Sequence, residues 1–297
     1  MKILLTGAAG FVGRHVLRAL LEASHEVIAL VHGESDLGPA GGGRLVSVKG
    51  DLRARELYDR LPGPVDAVIS LAQSAHYRDF PGKADDIFAV NVEAAFLLAD
   101  WARRTGVTRF VLVSSGGARA QESHVWGSEP AKRATPIDFY LSSKLCAEVI
   151  LRAYRGYFRT LVMCRPFFIY GPGQSPQMLI PRLVRSIRNG EPLQLQGRDG
   201  LRLNPVYVED VARALARSVE LDGFAEFDIG GPQELTLREI GEAIARRIGR
   251  EALFSEAPGE PENLVARRSD AYARLGVKAT SFDEGLNRLI EAHGIEH

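Results

Sequence analysis

Lys2-Ile-Leu-Leu-Thr-Gly-Ala-Ala-Gly-Phe-Val-Gly13 opens the chain and sets its architecture. The apolar run at its start is typical of a buried parallel strand, and the residues that follow repeat apolar side chains at helical intervals. Between them, Gly7 allows a tight turn, Gly10 a close approach of backbone to a pyrophosphate, and Gly13 close packing of helix on strand. This order predicts a dinucleotide-binding turn with phosphates over the helix N-terminus, and a plain structural turn is the alternative.

The overall composition limits the class of protein. The 297 residues, 45% of them hydrophobic, suffice for one large α/β domain or two unequal ones. Equal numbers of basic and acidic residues, 37 of each, leave no net field to attract nucleic acid or an anionic membrane. Since no secretory leader or bilayer-length apolar run is recognisable, we expect a cytoplasmic protein that binds neither nucleic acid nor membrane.

The cysteines and the metal-binding residue types show no functional spacing. Cys146 and Cys164 fall in a predicted helix and a predicted strand, so we expect both to be buried, reduced thiols. No His-x-x-x-His pair or carboxylate cluster has the spacing of a metal site. The sequence therefore predicts no metal.

Strands alternate with helices along the first half of the chain. Apolar runs at 26–31, 44–48, 66–71, 109–113 and 160–165 predict five strands after the first. Such alternation is typical of the α/β class with a doubly wound, Rossmann-type parallel sheet. Farther along, Thr236 and Glu239 stand in capping-box register at the start of a predicted helix.

The end of the second predicted strand bears on cofactor choice. In dinucleotide folds an acid at this position binds the ribose 2′-hydroxyl of NAD, whereas a basic residue accommodates the 2′-phosphate of NADP. Here Val31 and His32 stand at that position, and Arg14 follows the third glycine of the turn. The pattern favours NADP over NAD.

Two further strand ends carry candidate ligand contacts. Asp51 is expected to accept a hydrogen bond from the adenine amino group, to cap a helix that begins at Leu52, or to do both. The loop at residues 72–77 follows the fourth strand and faces the crevice where open α/β sheets bind ligands. His76 in this loop is therefore a candidate substrate contact, with a solvated loop residue as the alternative.

Tyr140 and Lys144 stand four residues apart in a predicted helix, so they share one face. A phenol titrates near pH ~10, and a neighbouring ammonium favours phenolate, which lets the group exchange a proton with a substrate hydroxyl or carbonyl. Ser115, at the end of the preceding strand, would donate a hydrogen bond to the same oxygen. Together with the glycine turn, the pattern predicts that these three residues are catalytic, although the spacing alone also fits a surface pair.

Seven motifs carry a resemblance that runs nearly end to end. They are Thr6-Gly-x-x-Gly-x-x-Gly13, Asp51-Leu52, Leu71-Ala72, Asn91-Val92, Ser114-Ser115, Tyr140-x-x-x-Lys144 and Arg165-Pro-Phe-Phe-Ile-Tyr-Gly-Pro172. Together they resemble the extended short-chain dehydrogenase/reductase family. Within that family the chain is similar to the NAD(P)-dependent nucleotide-sugar epimerases, dehydratases and 4-ketoreductases.

The strand ends and this resemblance together give a set of site residues. The expected cofactor, NAD(P), would contact Gly7, Gly10, Phe11, Val12, Gly13, His32, Asp51, Leu52, Leu71, Ala72, Asn91, Tyr140, Lys144 and Pro166. The expected substrate, a nucleotide-activated sugar, would contact Gln73, His76, Ser115, Tyr140 and Arg202. By the resemblance, Ser115, Tyr140 and Lys144 form the catalytic triad, Asn91 steadies the active-site helix, and an arginine such as Arg202 grips the substrate diphosphate.

The resemblance also implies how the chain is organised. Residues 1–165 would form the NAD(P)-binding Rossmann domain. Residues 166–297 would form mainly a smaller substrate-binding domain, with segments at about 203–230 returning to the sheet. Because family members commonly dimerise through the helices that correspond to residues 83–105 and 139–157, the resemblance implies a homodimer.

The reaction stays open between a 4-epimerase and a 4-ketoreductase. Both exchange hydride at a sugar carbon while Tyr140 acts as general acid or base. Dehydratases of the family usually place Asp-Glu after the serine or threonine, and Gly116-Gly117 at those positions disfavours that reaction. The contrasting class is a catalytically silent NAD(P)-binding sensor with the same fold, which would not need Ser115, Tyr140 and Lys144 together.

Overall fold

The computed structural model describes residues 1–33, 37, 43–119, 138–261, 263–266, 270–292 and 294. The chain divides into two compact units, Met1–Arg165 with Ala212–Phe227 and Pro166–Val211 with Asp228–His297. Among the helices within these described ranges, none has the length and hydrophobicity of a membrane span.

A seven-stranded sheet forms the centre of the first unit. Across the sheet its strands are β11 (Gly223–Ile229), β6 (Thr160–Pro166), β5 (Arg109–Val113), β4 (Ala67–Ser70), β1 (Lys2–Thr6), β2 (Glu26–Val31) and β3 (Leu45–Lys49). Strands β1 to β6 pair in parallel, and β1 lies between β2 and β4. The strand order reverses at β1, which is where sheets of this class bind ligands. The predicted Rossmann-type α/β sheet is confirmed.

Helices of the first unit follow the strands in the predicted alternation. They are α1 (Phe11–Glu22), α2 (Leu57–Arg60), α3 (Ala84–Phe88), a π-helical segment (Ala89–Glu93), α4 (Ala94–Arg104) and α5 (Phe139–Ala153). The single helix expected over residues 83–105 is therefore interrupted by one wide turn, which contains Asn91. π-Helical turns of this kind occur mostly at functional sites.

The core of the first unit forms because each helix buries one apolar stripe. On α1 the buried residues Val16, Leu17, Leu20 and Leu21 recur at helical intervals. Another cluster on the sheet includes Trp101 of α4 and other buried residues of the strands and helices, among them Leu98, Phe110, Leu151, Leu161 and Met163. Fully burying each such side chain contributes about 1.5–3 kcal/mol to the free energy of folding. This packing keeps the strand ends in fixed positions.

The two cysteines have different environments. Cys164 of β6 is buried as expected, and burial raises the pKa of its thiol to about 12. The expectation for Cys146 is wrong because this thiol is exposed. Cys146 follows Lys144 by two residues on α5 and therefore points to nearly the opposite side of the helix.

The second unit contains short strands and five helices or parts of helices among its described residues. The strands are β7 (Ile169–Tyr170), β8 (Leu193–Gln196), β9 (Arg202–Leu203), β10 (Val206–Tyr207), β12 (Leu235–Thr236) and β13 (Phe254–Ala257), paired as β10–β7, β12–β9 and β13–β8. The helices are α6 (Leu179–Arg188), the start of α7 (Val208–Ser218), α8 (Leu237–Arg247), α9 (Ala271–Leu275) and α10 (Phe282–Ala292). The predicted capping box at the start of α8 is confirmed, with both of its hydrogen bonds present.

Candidate active site

The glycine turn between β1 and α1 forms a cradle that only small residues permit. Gly7 has φ +71°, and a Cβ on Gly13 would lie 1.9 Å from the Gly7 carbonyl oxygen. Gly10 is the N-cap of α1, no side chain caps its first turn, and no acidic residue stands in that turn. The turn therefore fits the anionic pyrophosphate of a dinucleotide, as the predicted contacts of Gly7, Gly10 and Gly13 require. Phe11 and Val12 form the first residues of the same helix.

Thr6 joins the ends of β1 and β4 beside this cradle. Its buried hydroxyl oxygen accepts hydrogen bonds from the backbone N–H groups of Leu71 and Ala72, both at 3.1 Å. The predicted contact residues Leu71 and Ala72 are thereby fixed next to the glycine turn. A Cβ on Gly7 would lie 2.9 Å from the Ala72 nitrogen, so the two segments touch.

Asp51 lies beyond β3, where Arg53 binds its carboxylate. The Asp51 Oδ1 atom accepts hydrogen bonds from the Arg53 N–H at 2.9 Å and from its Nε at 3.0 Å. The side-chain hydrogen bond from Arg53 is the largest cause that lowers the pKa of Asp51, so this carboxylate is an ionised acceptor. The helix-cap interpretation is wrong, since α2 begins only at Leu57 and Asp51 closes a local turn. His32 is exposed, with Nε2 3.8 Å from Asp51 Oδ2.

The catalytic candidates on α5 are placed by the start of that helix. Asp138 caps it by accepting the Leu141 N–H at 2.8 Å, so Tyr140 and Lys144 lie one turn apart on one face. The Lys144 Nζ atom is 6.0 Å from the centre of the Tyr140 ring. Lys144 is buried and donates to the Val113 carbonyl oxygen of β5 at 3.3 Å. Tyrosine, lysine and the end of β5 are thus brought together.

Burial shifts the pKa values of both residues. Burial raises the pKa of the Tyr140 phenol to about 12, while a hydrogen bond with Ser115 acts in the opposite direction. Burial lowers the pKa of Lys144 to about 8, and the negative charge of Glu148 partly opposes that effect. At neutral pH the site therefore holds a neutral phenol as proton donor beside a lysine that is largely protonated.

Asn91 ties the loop after β4 to the catalytic helix. Its Oδ1 atom accepts the Ser74 N–H at 2.9 Å, and its Nδ2 donates to Ser143 Oγ at 2.9 Å. The Ser143 hydroxyl in turn donates to the Tyr140 carbonyl oxygen at 2.7 Å. Sequence reasoning missed Ser74 and Ser143, because single serines without a distinctive spacing give no signal of a contact between distant segments.

The loop after β4 also reaches the phenol itself. The Tyr140 hydroxyl donates to Gln73 Oε1 at 3.1 Å, and the Tyr77 ring packs against the Tyr140 ring with centres 5.2 Å apart. His76 is exposed, and its Nδ1 lies 2.9 Å from Asp79 Oδ2. Of the residues expected to contact substrate, Gln73 and Ser115 therefore adjoin the phenol.

The remaining candidate residues line a small cavity or stand on β9 and β6. A small cavity at the end of the sheet is lined by Leu52, Ala72, Asn91 and Lys144 together with apolar residues of α4. In the second unit, Arg202 is exposed on β9, and its Nη1 lies 3.6 Å from Glu234 Oε1. Pro166 is buried at the end of β6. Within the described part of the chain, no three His, Cys, Asp or Glu side chains are arranged to hold a metal ion.

Comparison with known proteins gives consistent results. Residues 3–230 match the model of the NAD dependent epimerase/dehydratase family. The low-salt glycan biosynthesis protein Agl12 of Haloferax volcanii is 30% identical over 98% of this chain and 98% of its own. A Bacillus subtilis protein described as the uncharacterized UDP-glucose epimerase YtcB is 29% identical over 98% of this chain and 97% of its own. The structure of MoeE5 in complex with UDP-glucose and NAD is similar with a TM-score of 0.78 and 29% identity, covering 99% of both chains.

Proposed function

The chain belongs to the NAD dependent epimerase/dehydratase family, and from that premise we propose that it exchanges hydride between a nicotinamide cofactor and a carbon of a nucleotide-activated sugar. The observation that carries this proposal is the phenol of Tyr140, held by Gln73 one helical turn from the buried Lys144. A protein that only bound a dinucleotide would need the glycine cradle but not Ser115, Tyr140 and Lys144 together.

The residues divide the chemistry among them. The cofactor, when bound, would supply the hydride acceptor or donor. Tyr140 Oη gives its proton to the sugar oxygen when a carbonyl is reduced and takes it back when a hydroxyl is oxidised. The Lys144 ammonium stabilises the phenolate left after proton donation, and Ser115 Oγ donates a hydrogen bond to the reacting sugar oxygen.

The proposed reaction is 4-epimerisation or 4-keto reduction of a hexose linked to a nucleoside diphosphate. The Bacillus relative described as a UDP-glucose epimerase, and the UDP-glucose in the MoeE5 complex, support this substrate class. Substrate deuterated at C4 tests it and separates the two reactions. An epimerase returns the label to the opposite face of the same carbon, whereas running the 4-keto reduction backward leaves the label on the nicotinamide.

We also propose NADP as the preferred cofactor. His32 at the end of β2 and Arg14 after the glycine turn support a 2′-phosphate, since no carboxylate occupies either position. The NAD in the MoeE5 complex makes NAD the competing choice. Titration with both cofactors, repeated on His32→Asp, tests this proposal. The variant should lose affinity for NADP selectively, whereas tighter binding of NAD by the unaltered chain would contradict it.

Two further features of the proposal concern partners. Arg202 is proposed to bind the substrate diphosphate, because its guanidinium is exposed and its fork of donors suits phosphate oxygens.

A homodimer through the helices of the first unit is supported by exposed apolar side chains on those helices. They are Phe88 (52% exposed), Phe96 (38%) and Val149 (44%), on α3, α4 and α5.

A further inference from the structure

We propose that Glu148 is a positioning residue for Lys144, since its side chain, bound to Arg165, fixes α5 against the end of β6 and places a negative charge behind the lysine. This inference rests on the proposed function and adds to it a residue outside the predicted set. Glu148 follows Lys144 by four residues and Tyr140 by eight, so all three share a face of α5.

The ion pair formed by Glu148 and Arg165 is shielded from solvent and bidentate. Each side chain is only 1% exposed. Arg165 Nε donates to Glu148 Oε1 at 2.8 Å, and Arg165 Nη2 binds Glu148 Oε2. Two parallel charge-assisted bonds of this kind fix both distance and orientation. Because Arg165 directly precedes Pro166, the pair joins the helix that carries the phenol to the strand end predicted to meet the cofactor.

Further charges extend the pair toward solvent. Glu226 of β11 accepts from Arg165 Nη2 at 2.8 Å and from Arg152 Nε at 3.0 Å, and Arg119 Nη2 lies 3.8 Å from it. Arg152 Nη2 also reaches Glu148 Oε2 at 3.4 Å. Glu226 is partly exposed, whereas Glu148 is buried at the end of the network that shares a helix face with Lys144. The two carboxylates therefore bind the same arginine, but Glu148 shares a helix face with Lys144, whereas Glu226 lies on β11.

A buried ion pair is weak support for a purely stabilising role, because apolar residues of similar size often stabilise a core as well or better. A carboxylate near a buried ammonium has a second effect, which is to keep that ammonium charged. Burial lowers the pKa of Lys144 and Glu148 opposes this. Among the described residues, Lys144 Nζ also donates to the Val113 carbonyl and lies beside the Tyr140 ring, and the neutral residues Ser70, Asn91 and Ser114 line a cavity together with Lys144.

The experiment compares Glu148→Gln with Glu226→Gln as the matched control, since each variant removes one carboxylate charge from Arg165. The sequence contains six lysines, so the ¹³Cε signals of lysine-labelled protein can be followed by NMR against pH, and Lys144→Arg assigns the signal of Lys144. The midpoint for Lys144 should fall by about one pH unit in Glu148→Gln and stay in place in Glu226→Gln. Equal midpoints in all three proteins, or equal shifts in both variants, would overturn the proposal.

A second variant separates charge from shape and guards against loss of folding. Glu148→Asp keeps the charge and should keep the Lys144 midpoint near that of the unaltered chain, whereas a fall as large as in Glu148→Gln would contradict the proposal. The NMR titration needs no turnover, so it tests the role of Glu148 even if no sugar nucleotide proves to be a substrate. Where turnover is measured, the alkaline limb of kcat/KM should move with the NMR midpoint.

Discussion

The Tyr140 hydroxyl donates its one proton to Gln73 Oε1 at 3.1 Å. The same proton is the one that Tyr140 must give to a sugar oxygen in the proposed reaction. Because a phenol has a single O–H donor, a substrate carbonyl has to replace the Gln73 amide as the acceptor. In the proposed reaction Gln73 therefore orients the phenol until a substrate oxygen takes its place.

Substitution of Gln73 by Glu should raise the pKa of the Tyr140 phenol further. A carboxylate accepts the phenol proton more strongly than an amide and repels a phenolate. We expect the rate of sugar oxidation to fall by at least about tenfold at neutral pH, with its rising limb moved to higher pH. The pH profile of kcat provides the measurement, and Gln73→Ala is the control that lacks the charge. If the rising limb of the kcat profile lies at the same pH in Gln73→Glu and Gln73→Ala, Gln73 does not act on the phenol.

Gly13→Ala should reduce the stability of the chain, whereas Gly10→Ala should weaken cofactor binding. A Cβ on Gly13 would lie 1.9 Å from the Gly7 oxygen, so Gly13→Ala should lower the free energy of unfolding by more than about 2 kcal/mol. Gly10 has φ −72°, and its added Cβ would meet the Gly7 oxygen at 3.3 Å. Gly10→Ala should therefore change stability by less than about 1 kcal/mol.

The same Gly10→Ala variant should bind NAD(P)H at least about tenfold more weakly, because its methyl group occupies the cradle proposed for the pyrophosphate. Denaturant unfolding and a fluorescence titration with the reduced cofactor measure the two properties separately. Unimpaired cofactor binding by a folded Gly10→Ala variant would argue against this location for the pyrophosphate.

These glycines also show why part of the site could be predicted from sequence. The glycine turn and the pair of Tyr140 and Lys144 depend on local geometry, because a turn and a helix fix the relation of residues a few positions apart. Asn91 depends on a π-helical turn and on serines from two distant segments. Contacts between distant segments follow from packing, which the spacing of residues in one sequence does not reveal.

The exposed Cys146 and the turn at Asp51 illustrate the same limit. A helix has two sides, and composition alone did not identify which side of α5 faces the core. At Asp51 the strand end was predicted, but the side chain closes a turn with Arg53 because the next helix starts several residues later. Sequence patterns thus gave element types more securely than the partners of single polar side chains.

His25 should make the stability of the chain depend on pH. Burial, followed by the nearby N-terminal ammonium, lowers the pKa of His25 below the usual 6.5. At pH values well above 6.5, His25 is neutral in both the folded and the unfolded chain, so it does not affect the free energy of unfolding. As the pH falls below it, the unfolded chain takes up a proton more readily than the folded chain does, so the free energy of unfolding decreases.

The comparison of unfolding at about pH 5 and about pH 7.5 checks this effect. His25→Gln should show a smaller loss of stability between the two pH values than the unaltered chain. His32→Gln removes an exposed histidine instead of the buried one and serves as the control. The prediction is wrong if His25→Gln loses as much stability as that control.

The apolar side chains on α4 and α5 test the proposed homodimer. Phe96→Glu places a charge on the face where a second copy would pack, and an unpaired charge at the centre of an interface is strongly unfavourable. We expect the mass in solution to fall from that of two chains to that of one chain of 32.5 kDa. Leu253→Glu alters a comparably exposed apolar residue of the second unit and should leave the dimer intact. If Phe96→Glu stays dimeric, the contact lies elsewhere.

The transfer of deuterium from C4 of a labelled UDP-hexose, compared between the unaltered chain and Tyr140→Phe, tests the central claim most directly. The unaltered chain should move the label either to the nicotinamide or to the opposite face of C4. Tyr140→Phe should slow that transfer by about 10²–10⁴-fold while binding the cofactor equally well. Equal transfer by Tyr140→Phe would contradict the assignment of Tyr140. Cofactor binding without transfer across UDP-glucose, UDP-galactose and UDP-glucuronic acid would contradict the enzyme itself and favour a sensor.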